Sequence, residues 1–185
     1  MAYFDETSKV WNGPKVDRSE LNSLTFRKHL LRSFRTTPDK IFQISDDERT
    51  QLTYKETESL SFRIAENLKR FGIHQGDVVC LMMLNSTYVA PFAFGCILNG
   101  VAVSPFLISQ GITFEEIKYR LNISKPRAII LEEFVNLTGM ILQVIKEMEL
   151  DCKIFTIGTD TKLSKPNVFS FCELLNENKV EQKFE

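Results

Sequence analysis

The sequence predicts an α/β fold, a Rossmann-like, doubly wound and mostly parallel sheet with helices on both faces, and three observations predict it. Apolar runs at 78–84, 101–103, 127–131 and 152–157 suit strands buried on both faces. Helix-length stretches separate them, and a parallel crossover needs about a dozen residues or more, usually a helix. Three capping-box signals, Thr53 with Glu56, Thr113 with Glu116 and Ser170 with Glu173, announce helix starts at places that keep this alternation.

The elements follow in order. Residues 1–20 are polar apart from Trp11-Asn12-Gly13-Pro14 and are expected to be a mobile arm that Trp11 can pin to the body. Residues 21–185 are expected to form one partial domain. A helix over 23–35 places Leu24, His29 or Leu30, Leu31 and Phe34 inward, with Arg27, Lys28, Arg32 and Arg35 outward and Pro38 closing it. Residues 41–44 and 49–52 flank the acidic turn Ser45-Asp46-Asp47-Glu48 and predict a hairpin. Thr53 then opens a helix whose inward stripe is Leu60, Ile64, Leu68 and Phe71, against a wet face of Glu58, Arg63, Glu66, Lys69 and Arg70. Gly72 can take the left-handed conformation that ends this helix, and Ile73 can supply the apolar contact of such a cap.

Gly76-Asp77 turns the chain into the first long strand. Asn85 or Ser86 is expected to cap an apolar helix running to Asn99, in which Pro91 costs a hydrogen bond and Gly95 permits close packing. After the strand ending at Ser104-Pro105, a helix opens at Thr113 with Phe114, Ile117 and Leu121 inward. Phe134, Leu137, Ile141, Val144, Ile145 and Met148 mark a long amphipathic helix. Gly158 stops the last strand, and a short helix is expected to start at Phe171.

Composition bounds function. The 185 residues are 43% hydrophobic and 25% charged, enough for one domain with a real core. A net charge of −1 supplies no global field for nucleic acid or an anionic membrane. No apolar stretch reaches the roughly 20 residues that span a bilayer. The first residues carry no basic flank followed by an apolar core, so no secretory signal is read there. Cys80, Cys96, Cys152 and Cys172 are far apart in sequence and read as reduced thiols rather than zinc ligands or disulfides, which points to an intracellular, cytoplasmic protein. Sequons at Asn85, Asn122 and Asn136 then read as chance matches at turns and helix starts.

In an open parallel sheet, ligands sit at the carboxyl ends of the strands. Those ends read Leu84-Asn85-Ser86, Val103-Ser104-Pro105, Leu131-Glu132-Glu133 and Ile157-Gly158-Thr159-Asp160. None is a glycine-rich phosphate cradle. Gly95 and Gly100 have the outer spacing of a phosphate-binding loop, but Val101-Ala102 follow where Lys-Ser belongs, so the stretch reads as a helix and its exit. Glu132, Glu133 and Asp160 are general bases or metal ligands by type, yet no second group is placed to work with them. His29 has no carboxylate at helical spacing, and His74 lies in a turn without triad companions. The acidic turn at 45–48 lacks the spacing of a calcium loop. The residues themselves therefore name no catalytic, cofactor-binding or metal site.

Several pieces in order nevertheless resemble a family. They are Leu52-Thr53-Tyr54, the helix segment Arg63-Ile64-Ala65-Glu66-Asn67-Leu68, Phe71-Gly72-Ile73 with Gly76-Asp77, then Asn85-Ser86 and Gly100-Val101-Ala102-Val103-Ser104-Pro105. From about Trp11 onward the chain resembles the N-terminal part of the adenylate-forming (AMP-binding) superfamily, nearest to acyl-CoA synthetases, 4-coumarate:CoA ligases and luciferases. The resemblance implies ATP-dependent activation of a fatty or aryl carboxylic acid as acyl-AMP and transfer to CoA, with ATP, Mg²⁺ and CoA as cofactors of a complete enzyme. It also implies a phosphate loop, acidic residues for ribose and metal, and a lysine on a C-terminal domain, none of which has a counterpart here. Acetyl-CoA synthetase relatives carry arginines in the region matching 134–142, where this chain has none. The expectation is a truncated, acyl-CoA synthetase-like protein, inactive alone and binding no cofactor by itself. The alternative is a non-catalytic module that self-associates or docks onto full-length relatives through its open sheet edge. Relatives imply a peroxisomal setting, but Lys183-Phe184-Glu185 does not resemble the targeting tripeptide.

Overall fold

Five strands form one parallel sheet in the computed structural model, in the order β6-β5-β7-β8-β9. The structure describes residues 2–13, 25–45, 49–106, 111–132, 137–158 and 166–176. The strands are β5 (Val78–Met82), β6 (Ala102–Pro105), β7 (Ala128–Glu132), β8 (Lys153–Ile157) and β9 (Val168–Ser170). Helices α2 (Tyr54–Arg70), α3 (Val89–Leu98), α4 (Phe114–Ser124), α5 (Leu137–Glu147) and α6 (Cys172–Leu175) lie between and beside them. Ahead of these come a hairpin of β1 (Tyr3–Asp5) and β2 (Val10–Asn12), helix α1 (Phe26–Thr36), and a second hairpin of β3 (Ile41–Ile44) and β4 (Gln51–Thr53).

Alternation along the strands feeds two cores. Val79, Leu81, Ala128, Ile130 and Phe155 face Ile64, Leu68, Phe92 and Cys96 of α2 and α3. Cys80, Met82, Ile129, Leu131 and Ile154 face Ile117, Leu121, Ile141 and Val144 of α4 and α5. The sheet is therefore buried on both faces, as its unbroken apolar strands require. A third layer is added where Leu30, Leu31 and Phe34 of α1 pack on Ala65 and Leu98.

The capping signals are satisfied to different degrees. Thr53 and Glu56 form the full reciprocal box at the head of α2. Thr113 Oγ1 accepts the Glu116 N–H, but the Glu116 carboxylate pairs with Arg120 one turn on instead of reaching back. At the third signal the Glu173 carboxylate accepts the Ser170 N–H, while the Ser170 hydroxyl takes the Cys172 N–H and the helix starts at Cys172 rather than Phe171. At the far end of α2, Gly72 has φ +74° and Ile73 N–H donates to the Leu68 carbonyl at 3.0 Å, the wrapped-back cap its sequence calls for.

Other differences have physical reasons. The inward stripe of α2 is rotated: Thr57, Ser61, Ile64, Ala65, Asn67 and Leu68 are buried, whereas Leu60 is half-exposed. Small and polar side chains occupy that face because α3 comes in close. A Cβ on Gly95 would lie 2.8 Å from Ile64 Cγ2 and 2.9 Å from the Ser61 carbonyl oxygen. Helix α3 starts at Val89, later than Asn85 or Ser86, which places Pro91 in the first turn where no N–H partner exists to be lost. Strand β5 ends at Met82, and Leu84 is exposed. Helix α1 is capped by Thr25, with His29 exposed and Leu30 inward; Leu24 and Phe134 lie outside the described residues. Trp11 is 72% exposed and packs on Phe4 across its own hairpin, 5.4 Å between ring centroids, rather than on the body. Strand β9 has no counterpart in the sequence reading.

Candidate functional site

Strand order reverses at β5, which has β6 on one side and β7 on the other, so the crevice that open α/β sheets use for ligands lies between the carboxyl ends of β5 and β7. Three elements meet there. The loop after β5 carries Leu84, Asn85 and Ser86; β7 ends on Glu132; and the β3–β4 hairpin reaches over, with Gln43 Nε2 donating to the Ser86 carbonyl at 3.2 Å. Beneath this edge Phe171 packs against Tyr88 and Phe92.

Glu132 occupies the crevice. Its Oε2 accepts the Leu84 N–H at 2.7 Å, a charge-assisted bond that ties the end of β7 to the loop after β5. A carboxylate so engaged acts as a loop anchor. Glu133 and Asp160, its companions in the sequence reading, lie outside the described residues, as does the acidic turn at 46–48. Among the described residues no three His, Cys, Asp or Glu side chains gather as a metal site.

The remaining candidates are dispersed. His29 is exposed on α1, its carbonyl accepting the Ser33 hydroxyl. His74 is exposed in the turn before β5, where its backbone N–H donates to Asp77 Oδ2 at 2.7 Å. The Gly95 to Gly100 stretch is the end of α3 and its cap: Gly100 has φ +68° and Val101 N–H donates to the Cys96 carbonyl. Cys80, Cys96 and Cys152 are buried free thiols and Cys172 is an exposed one. Burial pushes the Cys80 and Cys152 thiols up to about 12, so neither is a nucleophile at neutral pH.

Sequence reasoning missed a concavity at the opposite, amino edge of the sheet. It has a volume of about 580 Å³ and is bordered by the first turn of α1, the last turns of α2 and α3, and His74-Gln75. Its residues come from four separate stretches of chain, so no local motif could reveal it. No helix among the described residues is long and apolar enough to cross a membrane.

A parallel sheet with helices on both faces, entered through a capped helix and an antiparallel hairpin, defines the class as a doubly wound α/β domain. The sequence model for the AMP-binding enzyme family matches residues 30–181, and the chain belongs to that family. Over 91 residues it is 34% identical to 4-hydroxybutyrate–CoA ligase 1 of Metallosphaera sedula, covering 47% of this chain and 15% of the relative. Over 112 residues it is 30% identical to luciferin 4-monooxygenase of Photinus pyralis, covering 60% of this chain and 19% of that one. The solved structure of the luciferase-like enzyme from the nonluminescent mealworm Zophobas morio superposes with a TM-score of 0.73 at 26% identity, covering 89% of this chain and 36% of that chain. The chain thus spans well under half the length of the relatives it matches.

Proposed function

We propose that this chain is the scaffold portion of an acyl-CoA synthetase-like protein and does not turn over by itself. Residues 21–185 are read as part of the family's AMP-binding domain, preceded by an arm over 1–20. A complete enzyme of this kind activates a fatty or aryl acid with ATP and Mg²⁺ as acyl-AMP and passes the acyl group to CoA. The observation that carries the reading is the alignment of 89% of this chain with only 36% of the luciferase-like enzyme. At the crevice itself, Glu132 ties the loop after β5 to the end of β7 through the Leu84 N–H.

Adenylation rests on electrostatic stabilisation of a transferring phosphoryl group, and removing a single such donor from an enzyme costs about 2.7–4 kcal/mol of barrier. On this reading these 185 residues do not supply that set, and the chain is expected to give no ATP–pyrophosphate exchange with any of a panel of fatty and aryl acids. Acyl-adenylate made by the purified 185-residue protein would overturn the reading. The four free thiols support an intracellular, cytoplasmic setting.

A second reading is a docking module for full-length relatives or for a second copy of itself. It is favoured by β6, an edge strand that pairs only with β5 among the described residues. Co-migration with a full-length CoA ligase on size-exclusion chromatography is expected under that reading. A monomer that passes such a ligase without binding excludes it.

A further inference from the structure

We propose that Glu132 is a strand stop: its side chain holds β5 unzipped at the carboxyl end and so keeps the crevice beside β7 open. The apolar run of the sequence extends from Val78 to Leu84, but the strand ends at Met82. Register and side-chain alternation both point past that end. β5 and β7 pair in parallel from Val79 with Ala128 to Met82 with Leu131, so the next pair in line is Met83 with Glu132. Met83 already keeps the alternation, half-buried against the same core as Val79 and Leu81. Leu84 comes next, in phase with Cys80 and Met82 of the opposite core, yet it stands 53% exposed.

The interruption traces to one bond. The carbonyls of Asp77 and Leu81 accept from β6, through the Ala102 and Phe106 N–H groups, while the Val78 carbonyl accepts from Arg127 at the head of β7. Even-numbered residues of β5 therefore turn their polar groups to β7, and a continued ladder would bring the Leu84 N–H to the main-chain carbonyl of Glu132. That N–H goes instead to Oε2 of the same residue, at 2.7 Å. The carboxylate makes the stronger, charge-assisted bond and competes with its own carbonyl for a single donor. Opposing it is the hydrophobic gain of laying an exposed leucine onto the sheet. One donor with two acceptors and one leucine with two environments make residues 83–84 a two-state element. Ser86 is held separately, its carbonyl accepting from Gln43, so the rearrangement stays local. Zipping carries Leu84 across the point where strand order reverses, the place where open α/β sheets take ligands. The device works whether or not the chain turns over, so its failure would leave the adenylation reading standing.

Backbone NMR and amide hydrogen exchange of the 185-residue protein and its Glu132→Ala variant test the two states. In the variant, Met83 and Leu84 should take up strand chemical shifts, and Leu84 methyl protons should show contacts to Leu131. The Leu84 amide should exchange within about threefold of the parent rate, because a main-chain acceptor replaces the lost one. A plain anchor would do the opposite: an amide at 84 exchanging about tenfold or more faster, with coil shifts at 83–84, overturns the proposal. Adding Leu84→Ser to Glu132→Ala removes the hydrophobic drive and should return 83–84 to coil shifts; strand shifts that persist there would overturn the role given to Leu84. Glu132→Gln, which keeps a neutral acceptor of the same reach, covers the case of an alanine variant that does not fold. It should shift 83–84 part of the way towards strand, and parent-like shifts with a roughly tenfold faster Leu84 amide would again overturn the proposal.

Discussion

Alanine at position 95 should destabilise this protein, although in most helices replacing glycine by alanine does the opposite. Gly95 faces α2 at the closest approach of two helices, where an added Cβ meets Ile64 Cγ2 at 2.8 Å, the Ser61 carbonyl oxygen at 2.9 Å and Ile64 Cβ at 3.0 Å. Two of those three atoms cannot swing aside, being a backbone oxygen and a Cβ, so α2 and α3 must move apart. Both helices feed the core around Phe92 and Leu68, so the movement is paid in packing. Overpacking of this kind costs about 1–3 kcal/mol, against a helix-propensity gain of about 1 kcal/mol, leaving a net loss of up to about 2 kcal/mol. For a domain of this size that lowers Tm by up to roughly 8 °C. Gly139, in the first turn of α5, provides the control, since a Cβ there meets nothing within 4 Å. Alanine at 139 should stabilise by about 0.5–1 kcal/mol. Urea denaturation of both variants reads the two signs directly, and a stabilised Gly95→Ala protein would refute the close approach.

Three more outcomes are expected. At about pH 8 a thiol-specific dye should label Cys172 rapidly and reach Cys80, Cys96 and Cys152 only on unfolding, because burial raises all three buried thiols; fast labelling of more than one cysteine contradicts the packing. Glu56 is held below the usual carboxylate range, first by the Thr53 N–H it accepts and then by the Thr53 hydroxyl, so its contribution is present above the unfolded carboxylate pKa and lost as pH falls through the folded one. The stability gap between the parent and Glu56→Gln should therefore close between about pH 7 and about pH 3, and a constant gap would show that the charge is not involved. Asn67 Nδ2 donates to the carbonyls of Leu174 and Asn176, stitching α6 to α2; Asn67→Ala should cost about 1–3 kcal/mol and raise hydrogen exchange across 168–175 before the rest of the sheet.

What could be read in advance was whatever local chemistry dictates. The β5, β7 and β8 runs, the Thr53–Glu56 box and the Gly72–Ile73 cap depend on near neighbours, so residue type and spacing suffice to place them. Contacts between distant segments were beyond such reading. The rotated face of α2 follows from the approach of α3, and nothing within residues 54–70 announces that Thr57 and Ser61 are the buried pair. Strand β9 is three residues long and becomes a strand only because β8 offers it a parallel partner. The candidate site divides the same way: Glu132 could be named as a carboxylate at a strand end, but its engagement by Leu84, 48 residues away in sequence, could not.

The two edges of the sheet differ for a reason set by how the chain crosses over. A helix joining parallel strands runs antiparallel to them, so crossover helices bring their N-termini to the carboxyl edge and their C-termini to the amino edge. Helix α2, which enters β5 from the separate hairpin, ends at the same edge, and Lys69 and Arg70 in its last turn answer its C-terminal carbonyls. That account does not extend to α1, which is no crossover helix. It arrives at the same edge by its N-terminus, capped by Thr25, and places Arg27 and Lys28 where its own dipole is least favourable to them. Neutralising Lys69 should therefore weaken the fold slightly, whereas neutralising Lys28 should leave it as stable or a few tenths of a kcal/mol more so.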